Sequence, residues 1–182
     1  WEATLPDDLG RYWSENLARI AVSQIGVTES EKNYILADDG ETKQGITRYG
    51  QWYGNPHGDW SSMFLAFCLN YANIPRAAIP WSPGVSNMLR LCEDEKILSK
   101  PDNAVDAKGN ILFLDTDDNG NADKILIVIA AADNKMLTIG GDWQNQVAEV
   151  TIAKDDPRIL NYIKTCAVEE AYLLNIPMYS VS

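Results

Sequence analysis

The segment from residue 60 to 73, WSSMFLAFCLNYAN, constrains the fold more than any other part of the chain. Met63, Phe64, Leu65, Phe67, Leu69 and Tyr71 recur at spacings that cover every side of an α-helix, so no face is left for water. Such a helix is stable only when other elements surround it. Asp59 stands where an N-cap belongs, which predicts a helix from about residue 60 to 73 at the centre of a domain. With 182 residues the chain is long enough to wrap that helix in one domain, and nothing in its length calls for a second.

The flanking segments supply the wrapping. Trp13, Leu17, Ile20, Ala21 and Ile25 fall on one face and Gly26 follows as a stop, which predicts an amphipathic helix over about residues 11–25. Ser82 and Pro83 open a third predicted helix carrying Val85, Met88, Leu89 and Cys92. Residues 28–58 are polar and rich in Gly, Asn and Asp, and read as a long structured loop. Beyond residue 110 the pattern changes to short β-rich runs at 110–114, 125–131, 135–139 and 147–152. Asp133-Asn134 predicts a tight hairpin turn, and residues 115–123 a longer, acidic one. Residues 158–165 read as a further strand and 167–174 as a short helix. Helices first and an antiparallel meander second predict an α+β fold with the helices on one side of the sheet.

A formal charge of −11 without a basic patch argues against nucleic acid or an anionic membrane surface as partner. The longest apolar run, residues 125–132, is far shorter than a membrane span. A chain that begins at Trp1 is expected to belong to a longer, multidomain one. Three cysteines are too few for a disulfide framework, and their spacing matches no zinc motif. Cys68 and Cys92 lie inside apolar helical patterns and read as buried hydrophobes; Cys166 is left open.

Residues 45–64 read GITRYGQWYGNPHGDWSSMF. This run resembles the approach to the active site in CHAP domains, the papain-like amidases and endopeptidases that cut bacterial peptidoglycan and are related to the NlpC/P60 group. The resemblance extends to AVSQIGVTESEKNY, GNILFLDTDDNGNADKILIVIA and TIGGDWQNQV, so it spans about residues 12–152. It implies a papain-like fold for one domain over residues 1–182, with 153–182 as its C-terminal extension. It also implies a secreted or cell-surface bacterial protein that meets peptidoglycan or another surface glycan or peptide.

In that family a cysteine follows the tryptophan at the helix start, where the helix dipole and a neighbouring imidazole hold it as a thiolate. Here Ser61 occupies that position, Lys124 stands where the histidine belongs, and Gly140, Gly141 and Asp142 replace the Glu-Gly-Asn run that orients the imidazole. A single Cys-to-Ser change is what an inactivating mutation leaves; four departures together imply a natural pseudoenzyme. The alternative is an active amidase or endopeptidase whose nucleophile is Ser61. A Ser61–Lys124 dyad would need a neutral lysine, and the carboxylates of Asp115, Asp117, Asp118, Asp123 and Asp142 favour the charged form. His57, where the family usually carries tyrosine, reads as a solvated loop residue.

Two further groups are candidates. Asp115, Asp117, Asn119, Gly120, Asn121 and Asp123 follow the alternating oxygen-ligand spacing of calcium loops, although Leu126 stands where the bidentate glutamate belongs. Calcium binding and a solvated Asx turn are both open readings, and no other cofactor is expected. Trp52, Tyr53, Trp60 and Trp143 lie beside segments that wall the family's groove, where flat rings can stack on sugars or clamp a peptide; the other reading is that they prop up the core.

Overall fold

A computed structural model describes residues 1–103 and 105–175; the end of the expected C-terminal extension, 176–182, lies outside the described residues. The elements run α1 (Trp13–Ser23), β1 (Tyr34–Leu36), β2 (Lys43–Gly45), α2 (Arg48–Tyr53), α3 (Ser61–Tyr71), α4 (Val85–Asp94), β3 (Leu98–Ser99), β4 (Ile111–Leu114), β5 (Lys124–Ala132), β6 (Lys135–Gly140), β7 (Ala148–Ala153), β8 (Ile159–Ile163) and α5 (Thr165–Leu174). The fold is α+β, as the patterning requires. β4 to β7 form an antiparallel meander, and the six-stranded sheet has the order β3-β8-β4-β5-β6-β7.

The all-apolar helix is central. Every residue from Ser61 to Leu69 is buried, and α3 packs against α1, α2, α4 and β5. Alternation along the strands divides the sheet's side chains between two cores. Ile111, Phe113, Ile125, Ile127, Ile139 and Ile163 meet the helices, whereas Leu112, Leu114, Leu126, Val128, Met136, Val150, Ile152 and Tyr162 form a second cluster on the other face. Among the described residues, that second cluster draws mostly on the sheet itself, with Val105 and Trp143 added from loops. The strand register shifts at Phe113/Leu114 in β4 and at Val128/Ala130 in β5, irregularities of the kind that bend a strand.

Two expectations are corrected. Residues 28–58 are not a loop throughout: they hold the β1–β2 hairpin and the one-and-a-half-turn helix α2. Thr47 caps α2 by accepting from the Gly50 N–H at 2.9 Å, and Gly54, at φ 89°, ends it in the left-handed conformation. The third helix starts at Val85 behind Gly84 (φ 85°), not at Ser82-Pro83. The further strand expected at 158–165 is present as β8; it pairs with β4, and the short β3 pairs with β8. Cys68 and Cys92 are fully buried, and loss of solvation raises both thiols, Cys92 to about 12.

Candidate functional site

The N-terminus of α3 meets the start of β5 and the turn between β6 and β7, and this brings Ser61, Lys124 and Asp142 together from residues far apart in sequence. Ser61 is the first residue of α3 and is fully buried. Its Oγ accepts a hydrogen bond from the Ile125 N–H at 3.1 Å, so the hydroxyl pins the helix to β5 one residue beyond Lys124. Lys124, the first residue of β5, places Nζ 3.3 Å from Asp142 Oδ2, with side chains 24% and 17% exposed. Exposure this low makes the pair more than a solvated surface contact.

Asp59 completes the group. Its Oδ1 accepts from the Ser61 N–H at 3.1 Å, satisfying a helix-end donor two residues on; Trp60, not Asp59, is the residue in the cap position. Asp59 and Asp142 line the same small cavity. Burial raises the Asp142 pKa and the Asp59 charge raises it further, while Lys124 opposes both; the net result is about 6. Ser62, the next residue of α3, is buried with no hydrogen-bond partner for its hydroxyl among the described residues.

Gly140 and Gly141 shape the approach of β6 to α3. A Cβ on Gly141 would lie 2.4 Å from Phe64 Cβ, and one on Gly140 2.6 Å from Leu126 Cδ2. The first is a clash with the root of a buried ring on the central helix. Immediately afterwards the chain turns through Asp142, Gln144 and Asn145, all at positive φ, before entering β7. The turn is held to the segment after α1 by Glu29 N–H to Asn145 O at 2.9 Å and Gly26 N–H to Val147 O at 2.9 Å.

A cavity of about 280 Å³ opens beside this cluster, lined by Glu29, Lys43, His57, Asp59, Trp60 and Asp142 among others. His57 is half-buried in its wall; Nδ1 lies 2.9 Å from Gln44 O, so this nitrogen carries the proton and donates. Glu29, not singled out by the sequence, braces the wall. One carboxylate oxygen accepts from the Gly45 N–H and the other from Trp60 Nε1–H at 3.0 Å.

The four aromatic candidates separate. Trp60 is buried and stacks on Tyr49 at 5.4 Å, reaching the cavity by its edge. Trp52 and Tyr53 lie on α2 and are half-buried; Trp52 packs edge-on against Phe67 and Trp81. Trp143 packs on the second core, on the other face of the sheet from α3. Only Trp60 of the four lines the cavity at Asp142.

In the acidic hairpin, Asp115, Asp117 and Asp123 bring carboxylate oxygens within 4.8 Å of one another, a group that could hold a metal ion. Asp115 accepts from the backbone N–H groups of Asn119 at 3.2 Å and Gly120 at 2.7 Å, and Asp123 from that of Thr116 at 2.6 Å. Asn119 Oδ1 accepts from the Asn121 N–H at 2.8 Å. The hairpin and the Lys124–Asp142 pair meet at the junction of Asp123 and Lys124, yet the hairpin carboxylates contribute no ion pair to Lys124.

No family model, curated protein or solved structure matches the chain.

Proposed function

We propose that this chain is a catalytically inactive relative of the CHAP amidases and endopeptidases, with their papain-like arrangement, acting as a binding or structural unit of a secreted or surface-attached bacterial protein. The observation that supports the reading is the state of Ser61. Nucleophilic attack requires a hydroxyl whose proton passes to a neighbouring base. The Ser61 Oγ is buried, accepts a backbone hydrogen bond from Ile125, and has neither a lysine nor an imidazole nitrogen bonded to it. Lys124, at the position of the family's base, is engaged by Asp142 instead. Residues that would carry proton transfer in an enzyme thus act here as joints between α3, β5 and the β6–β7 turn.

The test is digestion of purified peptidoglycan and of its stem peptides, read by chromatography of soluble products. The expected result is no release by the native chain and none by Ser61→Cys. A cysteine at this helix end gains thiolate character from the dipole and from Lys124, but a lysine held by a carboxylate is a poor proton donor to the leaving amine. Full reversion would combine Ser61→Cys, Lys124→His, Gly140→Glu and Asp142→Asn, and the Gly140 change also requires Leu126 to move. Soluble muropeptides released by the native chain and abolished by Ser61→Ala would overturn the proposal in favour of a serine-dependent hydrolase.

For the hairpin, the all-oxygen donor set fits a hard cation, calcium in the family context, held weakly because the bidentate glutamate is missing. Calorimetric titration with calcium is expected to give a dissociation constant of about 10⁻⁴–10⁻³ M, abolished by Asp117→Asn. No heat of binding at millimolar calcium would leave the hairpin as an Asx turn only.

A further inference from the structure

We propose that β1 is a self-complementary edge strand through which two copies of this chain associate, pairing antiparallel about Ile35 into one four-stranded sheet. The inference goes beyond the function assigned above and does not depend on it.

The strand is Tyr34-Ile35-Leu36, and all three side chains stay in water, at 40%, 47% and 52% exposed. Edges left open are ordinarily blunted by a lysine, a proline or a bulge. β1 carries none of these, and its register against β2 is regular. Its backbone is open as well. The bonds from Ile46 N–H to Asn33 O and from Ala37 N–H to Thr42 O bracket the β1–β2 ladder. Alternation then gives Ile35 to the ladder, opposite Gln44, and turns the N–H and C=O groups of Tyr34 and Leu36 outward. Among the described residues nothing bonds those four groups. The far edge of β2 is different: Gly45 N–H donates to Glu29 and Thr47 N–H to Pro56 O at 3.4 Å, so the body of the molecule covers it.

These features fit a second copy of the same strand. With Ile35 facing Ile35 of the other copy, each Tyr34 falls opposite a Leu36. Both are outward-facing positions, so each such couple exchanges two N–H···O=C bonds, and every open group of both strands is used. Tyr34 then meets Leu36 on one face of the new sheet and Ile35 meets Ile35 on the other, across a two-fold axis. The same register sets the exposed Lys32 of each copy opposite the exposed Asp38 of the other, which closes both ends of the pairing with opposite charges. Asp39, next in line to meet Glu31, is bent into its own turn, where it accepts from the N–H groups of Glu41 at 2.9 Å and Thr42 at 2.8 Å. Because β2 is covered, the assembly stops at two copies. The pairing is short, so the dimer is weak and its population follows concentration.

The experiment is sedimentation equilibrium of the native chain over a concentration series reaching the millimolar range. The expected result is an average mass that climbs toward twice that of the monomer. Ile35→Lys, which puts two ammonium groups face to face, should abolish the climb while the circular dichroism spectrum stays unchanged. Lys32→Glu should weaken the dimer, and adding Asp38→Lys should restore it. The register is read by oxidation in a Cys166→Ser background, because Cys166 is an exposed thiol. Ile35→Cys, at a non-bonded position where facing Cα atoms lie about 4.5 Å apart, should give a covalent dimer. Ile25→Cys, comparably exposed but outside the hairpin, should not. A chain that stays monomeric throughout, a dimer indifferent to Ile35→Lys, or equal cross-linking at positions 35 and 25 would overturn the proposal; the first of these would leave the edge to an extended segment of another protein.

Discussion

Asp115 and Asp142 stand at the same kind of place, the first bend of a turn between antiparallel strands, and the chain drives their chemistry in opposite directions. At Asp115 burial works against the charge, but the backbone N–H groups of Gly120 and Asn119 more than offset it, and the carboxyl lies below its ordinary range. At Asp142 burial also works against the charge, Lys124 only partly offsets it, and Asp59 adds a second negative group, so the carboxyl lies above its ordinary range. The 115–123 turn bends around its aspartate and points N–H groups at it. The 141–147 turn spends its polar groups on the segment after α1 and leaves its aspartate to side chains. Local hydrogen-bond donors, not local charge count, decide which carboxylate is comfortable.

The largest effect should come from the residue that places the second turn. Gly141→Ala puts a Cβ into Phe64 and is expected to cost about 3 kcal/mol, the upper end for overpacking, read by urea denaturation. A cost near zero would mean that the β6–β7 turn is not held against α3.

Asp142→Asn addresses the contrast itself. A folded pKa raised from 3.8 to about 6 means that the stabilisation from this group is complete below pH 3.8 and is lost as pH rises through 6. Stability of the variant relative to the native chain should therefore improve between pH 4 and 7, by up to about 3 kcal/mol from a shift of about two units. Asp115→Asn should act at the other end of the scale and with the other sign. Its lowered pKa gives a contribution present above pH 3.8 and lost as pH falls, so the variant should narrow its deficit only in acid. Parallel pH–stability curves for the two variants would erase the distinction.

The smallest effect is the pairwise one. A double-mutant cycle on Lys124→Ala and Asp142→Ala is expected to give a coupling of about 1 kcal/mol, because the pair is mostly but not wholly withdrawn from water. A coupling of zero would mean that Lys124 is positioned by β5 alone.

Several of these features were legible before any coordinates. An all-apolar helix can only be central, and α3 is. Period-two runs separated by Asp133-Asn134 and the acidic segment can only be a meander, and β4 to β7 are one. The capping threonine Thr47 and the stop Gly54 bracket α2 in the sequence, but the intervening RYGQWY has too few residues to show a period, and the segment reads as loop. Ser61, Lys124 and Asp142 are far apart in the sequence, and only the fold sets Lys124 Nζ 3.3 Å from Asp142 and Ser61 Oγ against the Ile125 N–H. Glu29 carries no sequence signal at all: a glutamate in a polar stretch becomes a brace only because the hairpin and Trp60 present N–H groups to it.

The sequence by itself determined what is short-range: periodicity sets which faces are apolar, and turn residues set where the chain reverses. The tertiary structure alone decided that β8 pairs with β4, that the sheet carries a second core on its other face, that Trp143 joins that core while Trp60 edges the cavity, and that Lys124 meets Asp142. Strand pairing over long separations is chosen by which apolar faces can be buried together, and a carboxyl's pKa by what surrounds it. Both depend on distances between residues that sequence order does not contain.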